Sequence, residues 1–186
     1  MERKEKFREL FKGIFVWGSD RDLIHPENTD TQYLKFLEEV GETAAAILSK
    51  DIPKIKDGFG DIAVTIVLYG YQKFNINPEK LASFISLSDT DFNHICHTTL
   101  FMANVHRFET HYGSDRYILR ALASLNDFSQ SEGYDLLECL ELAYNEIKNR
   151  KGKTINGNFV KNSPEEILLA ERENEATKSE EFNTGR

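Results

Sequence analysis

Positive charge is short in this chain, cysteine is nearly absent, and no apolar run is long. Lys and Arg number 23 against 31 Asp and Glu, for a net charge of −8 over 186 residues. An acid excess argues against a protein whose main task is gripping a polyanionic backbone, so no nucleic-acid polymer is expected as a partner. It leaves room for a small anionic ligand held through metal ions. Two cysteines, Cys96 and Cys139, are too few for a disulfide framework and point to a reducing compartment. The longest uncharged apolar run, Ile62 to Tyr71, is far below the ~20 residues of a membrane span. No apolar h-region follows the charged N-terminus, so no secretory signal and no membrane association are expected. The expectation is a cytoplasmic protein with one domain over residues 1–163 and a disordered acidic tail over 164–186. That tail holds seven acids against three bases, half of the net charge.

What is present is helical periodicity. Phe7, Leu10, Phe11, Ile14 and Phe15 recur at helix spacing, with Gly18 as a stop. A second helix is predicted from Thr29–Thr31 to Ser49, capped by Asp30 or Thr31, and a third over 54–73 after the Asp51-Ile52-Pro53 turn. Two or three more follow between Pro78 and Gly133, with caps at Ser88–Asp91 and Gly113–Asp115, and a last one over 134–150. No stretch alternates as a strand does. The fold class read from the pattern is all-α.

The second helix places Leu34, Phe36, Leu37, Val40, Ala44, Ile47 and Leu48 on one arc, with Gln32, Lys35, Glu38, Glu39 and Glu42 opposite. By itself the acidic arc reads as a solvated stripe. Asp57 and Asp61, one turn apart at the head of the apolar third helix, change that reading, because buried carboxylates need partners. Gly58 and Gly60 beside them are explained by close helix packing or by room for metal and phosphate. A short connection at Ser49–Pro53 makes the helices antiparallel neighbours. Glu38, Glu39 and Glu42 then face Asp57 and Asp61, a set suited to Mg²⁺, with Mn²⁺ the other hard-ligand option.

These residues carry a resemblance. Gln32–Glu42, containing Glu38-Glu39-x-x-Glu42, and Ile55–Val64, containing Asp57-x-x-Gly60-Asp61, resemble the MazG-like nucleotide pyrophosphohydrolases of the all-α nucleoside triphosphate pyrophosphatases. The nearer match is to their short, phage-type branch. The broader family carries Glu where this chain has Gly58, so Asp57 stands in for that ligand. Trp17–Ile24 and Leu140–Lys161 resemble two further stretches of the branch, while 74–133 lies outside the resemblance. The resemblance implies an oligomeric helical bundle, a homodimer or homotetramer. It also implies metal-dependent hydrolysis of nucleoside triphosphates, deoxynucleotides or noncanonical ones included, to monophosphate and pyrophosphate. Glu39, Glu42, Asp57 and Asp61 are then the expected metal ligands, with Glu38 or Glu39 orienting the attacking water. Lys35, Asn145, Lys148, Arg150, Lys151, Lys153 and Lys161 are expected on the substrate, Lys35 pairing with either an acid or a phosphate; Trp17 is a candidate platform for the base, although a tryptophan so placed is more often core. The alternatives are a catalytically weak nucleotide-binding or regulatory module, motivated by Gly58, and a helical interaction domain working through 74–133 and the tail. His94, Cys96, His97, His106 and His111 lack the spacing of a zinc site.

Overall fold

The computed structural model describes residues 2–85, 100–105, 115–155 and 157–163. The histidine-rich segment, the cap at Ser88–Asp91 and the acidic tail lie outside those residues. The described part is mainly helical: α1 (Arg3–Ser19), a 3-10 turn (Pro26–Asn28), α2 (Thr29–Ser49), α3 (Ile52–Phe74), α4 (Pro78–Phe84), α5 (Arg116–Ser131) and α6 (Leu136–Ile147). Residues 100–105 are also helical. The chain is not purely α. A two-stranded antiparallel ribbon, β1 (Gly152–Ile155) and β2 (Asn158–Lys161), occupies what was expected to be a loop after the last helix.

The apolar run from Ile62 to Tyr69 makes α3 buried on nearly all sides, and the fold is arranged around it. A helix that is apolar all round has no solvent face to present, so neighbours must surround it. α2, α6, α1 and α5 supply them, and α4 packs on α1. The α2–α3 hairpin turns within two residues. Lys50 closes α2 in the left-handed region (φ 56°), and the Asp51 carboxylate caps α3 by accepting from the Lys54 amide at 3.3 Å. Pro53 sits in the first turn, where its missing N–H costs nothing.

Two small residues let the helices close on α3. A Cβ on Gly58 would lie 2.2 Å from Thr43 Oγ1 on α2, and one on Gly60 would lie 2.3 Å from the Cys139 carbonyl oxygen on α6. Close packing is therefore what these glycines serve. Asp135 opens α6 by accepting from the Leu137 amide at 2.8 Å. The same carboxylate takes a two-pronged contact from Arg3, at 2.7 and 2.8 Å, tying α1 to the start of α6.

α2 sits differently from its sequence pattern. Its buried stripe is Gln32, Phe36, Glu39, Thr43 and Ala46, whereas Leu34 is 66% and Leu48 85% exposed. The helix is rotated so that an acidic position faces inward and leucines face out. Nor does Asp30 or Thr31 cap it: the chain enters through the 3-10 turn, and Asn28 precedes the helix without a side-chain cap bond. The last helix spans Leu136–Ile147 rather than 134–150.

Candidate functional site

α2 and α3 run antiparallel in a register set by the Gly58–Thr43 contact. That register puts Glu39 level with Asp61. α6 approaches α3 at Gly60, bringing Ile147 and Arg150 to the same place. The result is a pocket of about 370 Å³ lined by Lys35, Glu39, Glu42 and Asp61 on one part, with Arg150 and Lys161 beside them and Trp17 and Phe159 on the wall.

The hairpin forms a roof over this pocket. Along β2 the side chains alternate, so Phe159 and Lys161 share the pocket face while Val160 points away, 44% exposed. Gly157, at φ +79°, brings the tip of the turn against α2, where a Cβ would meet Thr31 Oγ1 at 2.9 Å. Arg21 anchors the base of the roof: its Nε and Nη2 donate to the Arg150 carbonyl at 3.1 and 2.7 Å, and its Nη1 to the Trp17 carbonyl at 3.0 Å. Thr154 Oγ1 donates to the Arg21 carbonyl. The Arg21 guanidinium also stacks 5.1 Å above the Trp17 ring, whose other neighbour is the edge of Phe159 at 5.2 Å.

The electrostatics follow from burial. Glu39 is only 7% exposed. Desolvation pushes its carboxyl above the usual range, opposed by Lys35, whose Nζ lies 3.0 Å away. Asp61 is pushed up to about 7, first by burial and then by the charges of Glu39 and Asp57, with Arg150 and Lys35 pulling back. Burial acts to lower the Lys35 ammonium, but hydrogen bonds from it to Glu38 and Glu39 carry its pKa above the ordinary value. A buried and a half-buried acid, both held above their normal range in one pocket, are a site that favours added positive charge.

The residues expected at the site divide. Trp17, Lys35, Glu39, Glu42, Asp61, Arg150 and Lys161 converge on the pocket. Glu38 lies on the exposed side of α2, paired to Lys35 at 2.8 Å, and Asp57 is exposed one turn before Asp61. Asn145 and Lys148 bond each other at 2.6 Å on the outer face of α6. Lys153 falls on the opposite face of β1 from the pocket because strand side chains alternate, and Lys151 is exposed just before the strand. Among the described residues, no group of three His, Cys, Asp or Glu side chains stands close enough to form a ready-made metal cage. Gln32, Thr31, Thr65, Leu23, Leu68 and Phe159 also line the pocket. Of these, Gln32 had a signal in the sequence: it lies seven residues before Glu39, on the same stripe of the helix.

Taken together, fold and site define a helical protein with a roofed pocket that is acidic on two facing helices and basic at its edge. A stretch of 65 residues is 32% identical to an uncharacterized 18.2 kDa protein in the rep-hol intergenic region of Haemophilus phage HP1 (strain HP1c1). The match covers 35% of this chain and 40% of the phage protein. No family model matches the chain, and no solved structure matches it at significance.

Proposed function

We propose that the protein hydrolyses nucleoside triphosphates to the monophosphate and pyrophosphate with the help of Mg²⁺, in the manner of the MazG-like enzymes it resembles. The observation that carries this reading is the juxtaposition of buried Glu39 and half-buried Asp61 with Lys35, Arg150 and Lys161 in one pocket. An all-carboxylate donor set suits a hard cation. Mg²⁺ usually retains several waters and takes one or two carboxylates plus substrate phosphates, so it does not need a closed protein cage. Glu39 and Asp61 would hold it, with Glu42 completing the set. The bound ion would supply charge neutralisation and a more acidic water.

The chain's own groups do the rest. Arg150 and Lys161 neutralise phosphate oxygens at the pocket edge, and the planar Arg150 fork suits two oxygens at once. Lys35, now paired to Glu38 and Glu39, is within reach of a phosphate that draws it from them. The carboxylate of Glu39 orients water at the α-phosphorus, and the Phe159–Trp17 wall keeps the nucleoside end drier than the phosphate end. The substrate pool would be intracellular.

A second reading, a nucleotide-binding module without turnover, is favoured by the lack of a three-carboxylate group among the described residues and by Gly58 standing where the family has Glu. One experiment separates the two. The protein is incubated with ribo- and deoxynucleoside triphosphates, with and without Mg²⁺, and pyrophosphate is measured. Metal-dependent release, lost in Glu39→Gln with the fold retained, is expected. Thermal stabilisation by nucleotide without pyrophosphate selects the second reading.

A further inference from the structure

Most buried polar side chains of the described residues are committed to the backbone. Thr43 Oγ1 donates to the Glu39 carbonyl at 2.7 Å and Thr65 Oγ1 to the Ile62 carbonyl at 2.9 Å, within their own helices. The Asn28 amide donates to the carbonyls of Asp22 and Leu23, and the Gln72 amide to that of Leu23. Gln32 differs. It is 5% exposed, it lines the pocket, and its carboxamide has no hydrogen-bond partner among the described residues. Its amide nitrogen and oxygen are not among the fully buried polar atoms that lack a partner, so they open onto the pocket, where a ligand can meet them. On the same wall the Trp17 Nε1–H is fully buried without a partner among the described residues.

The position of Gln32 says what kind of ligand would fit there. Gln32 and Glu39 share one stripe of α2, two turns apart, which is about 10 Å along the axis. In the antiparallel register Gln32 stands level with Leu68, and Leu68 touches the α1 end, where a Cβ on Gly18 would lie 2.6 Å from it. Trp17, Leu23, Leu68 and Phe159 therefore surround the Gln32 end with flat or apolar surface, while the charged groups crowd the Glu39 end. An apolar slot with one primary amide facing in matches a planar heterocycle whose edge offers a donor beside an acceptor. That is how Gln and Asn read base edges elsewhere. An inorganic polyphosphate has no use for such a slot.

We propose that the Gln32 end of the pocket is a nucleobase subsite, and that the Gln32 carboxamide is the group that discriminates between bases. The proposal rests on the nucleotide reading above and names which part of a nucleotide the second half of the pocket takes. A site built around a hydrogen bond rejects a ligand that leaves its polar group unpaired, so selectivity is expected to follow this amide more than the size of the slot.

The test has a binding arm and a turnover arm. Binding of the common nucleoside monophosphates, without metal, is measured for the wild-type protein, Gln32→Leu and Gln32→Glu. Hydrolysis of the matching triphosphates and of inorganic tripolyphosphate is measured with Mg²⁺. The expected result is a base preference in the wild type, reduced about tenfold in affinity by Gln32→Leu. Gln32→Glu, which keeps an acceptor and loses the donor, is expected to reorder the preference. Inorganic tripolyphosphate, followed in the same binding assay, should be held equally by the wild type and Gln32→Leu, whereas the added charge of Gln32→Glu weakens any polyanion. No base preference in the wild type overturns the subsite, and so does an equal loss in Gln32→Leu on every ligand including tripolyphosphate, which marks a structural role. Base-selective binding with no pyrophosphate release leaves the subsite standing and removes the hydrolase reading instead.

Discussion

At the scale of single residues, the site holds charge that the fold tolerates poorly. Asp61 lies half-buried beside Glu39 with its carboxyl pushed up to about 7. A buried carboxylate facing other acids is a liability unless a cation relieves it. Replacing it by Asn is therefore expected to stabilise the metal-free protein at neutral pH while removing Mg²⁺-dependent turnover. A gain of ~1 kcal/mol would raise Tm by about 2–4 °C in a chain of this size, read by differential scanning fluorimetry with chelator present. A fall in Tm would mean that Asp61 serves as a structural acceptor. Asp135 behaves in the opposite sense. The Arg3 hydrogen bond holds its carboxyl below the ordinary 3.8, against the effect of burial and with help from the Leu137 amide. A depressed acid contributes stability that is present above its unfolded pKa and disappears as pH falls through the folded one. Asp135→Asn keeps the helix cap and loses only the ion pair. A penalty below ~1 kcal/mol at pH 7 is expected, with denaturation curves of the two proteins converging in strong acid. The buried thiol of Cys139, pushed up to about 11 by desolvation, is an inert packing residue.

At the scale of elements, the hairpin and the glycine contacts decide the shape of the pocket. Gly60 brings α6 onto α3 so closely that the neighbour of its missing side chain is backbone, the Cys139 carbonyl. Gly60→Ala must push the helices apart and is expected to cost about 1–3 kcal/mol, seen as a lower urea midpoint with an unchanged m-value. If the variant were as stable as wild type, the helix contact described above would be wrong. The hairpin shows where a sequence pattern was readable but outweighed. An Asn-Gly pair is a strong two-residue turn signal, and Asn156-Gly157 stands between the strands. Each strand has only four residues, too short for alternation to stand out against the basic cluster around it. The rotation of α2 was not legible in the same way. Phe36 and Ala46 are apolar positions that do face inward, but Glu39 and Gln32 share their stripe. A reading that sorts residues by polarity alone assigns those two to the outside.

For the molecule as a whole, no helix among the described residues is long and apolar enough to cross a membrane, yet apolar surface remains. Leu34, Leu37 and Leu48 face outward from α2, and Leu100 and Met102 are exposed as well. Val40, Ala44 and Leu48 border a second, largely apolar groove of about 330 Å³. Positions 34, 37, 41, 44 and 48 recur at heptad-like spacing, and Gly41 has nothing within 4 Å of its Cβ position. This stripe is where the expected homo-oligomer can be tested: if copies meet across it, charging it must separate them. Leu34→Lys combined with Leu48→Lys is expected to shift the protein to monomer in light scattering while leaving its helical circular dichroism unchanged. A wild-type protein that is monomeric at micromolar concentration would refute this.

Periodicity, charge and turn residues were enough to assign the helical class and the α2–α3 turn, and to single out Glu39, Glu42, Asp61 and Arg150, which the fold brings to one pocket. These are local properties: hydrophobic spacing and capping act within a few residues along the chain. Which carboxylates enter the pocket depends on how α2 is rotated against α3, and that rotation is set by the close contact of Gly58 with Thr43. Which bases reach the pocket depends on the pleat of a hairpin anchored by Arg21, far away in the chain. Contacts between elements distant in sequence left little trace in composition or spacing. Only folding brought Gln32, Trp17 and Phe159 to one wall and left Glu38, Asp57, Asn145 and Lys153 outside it.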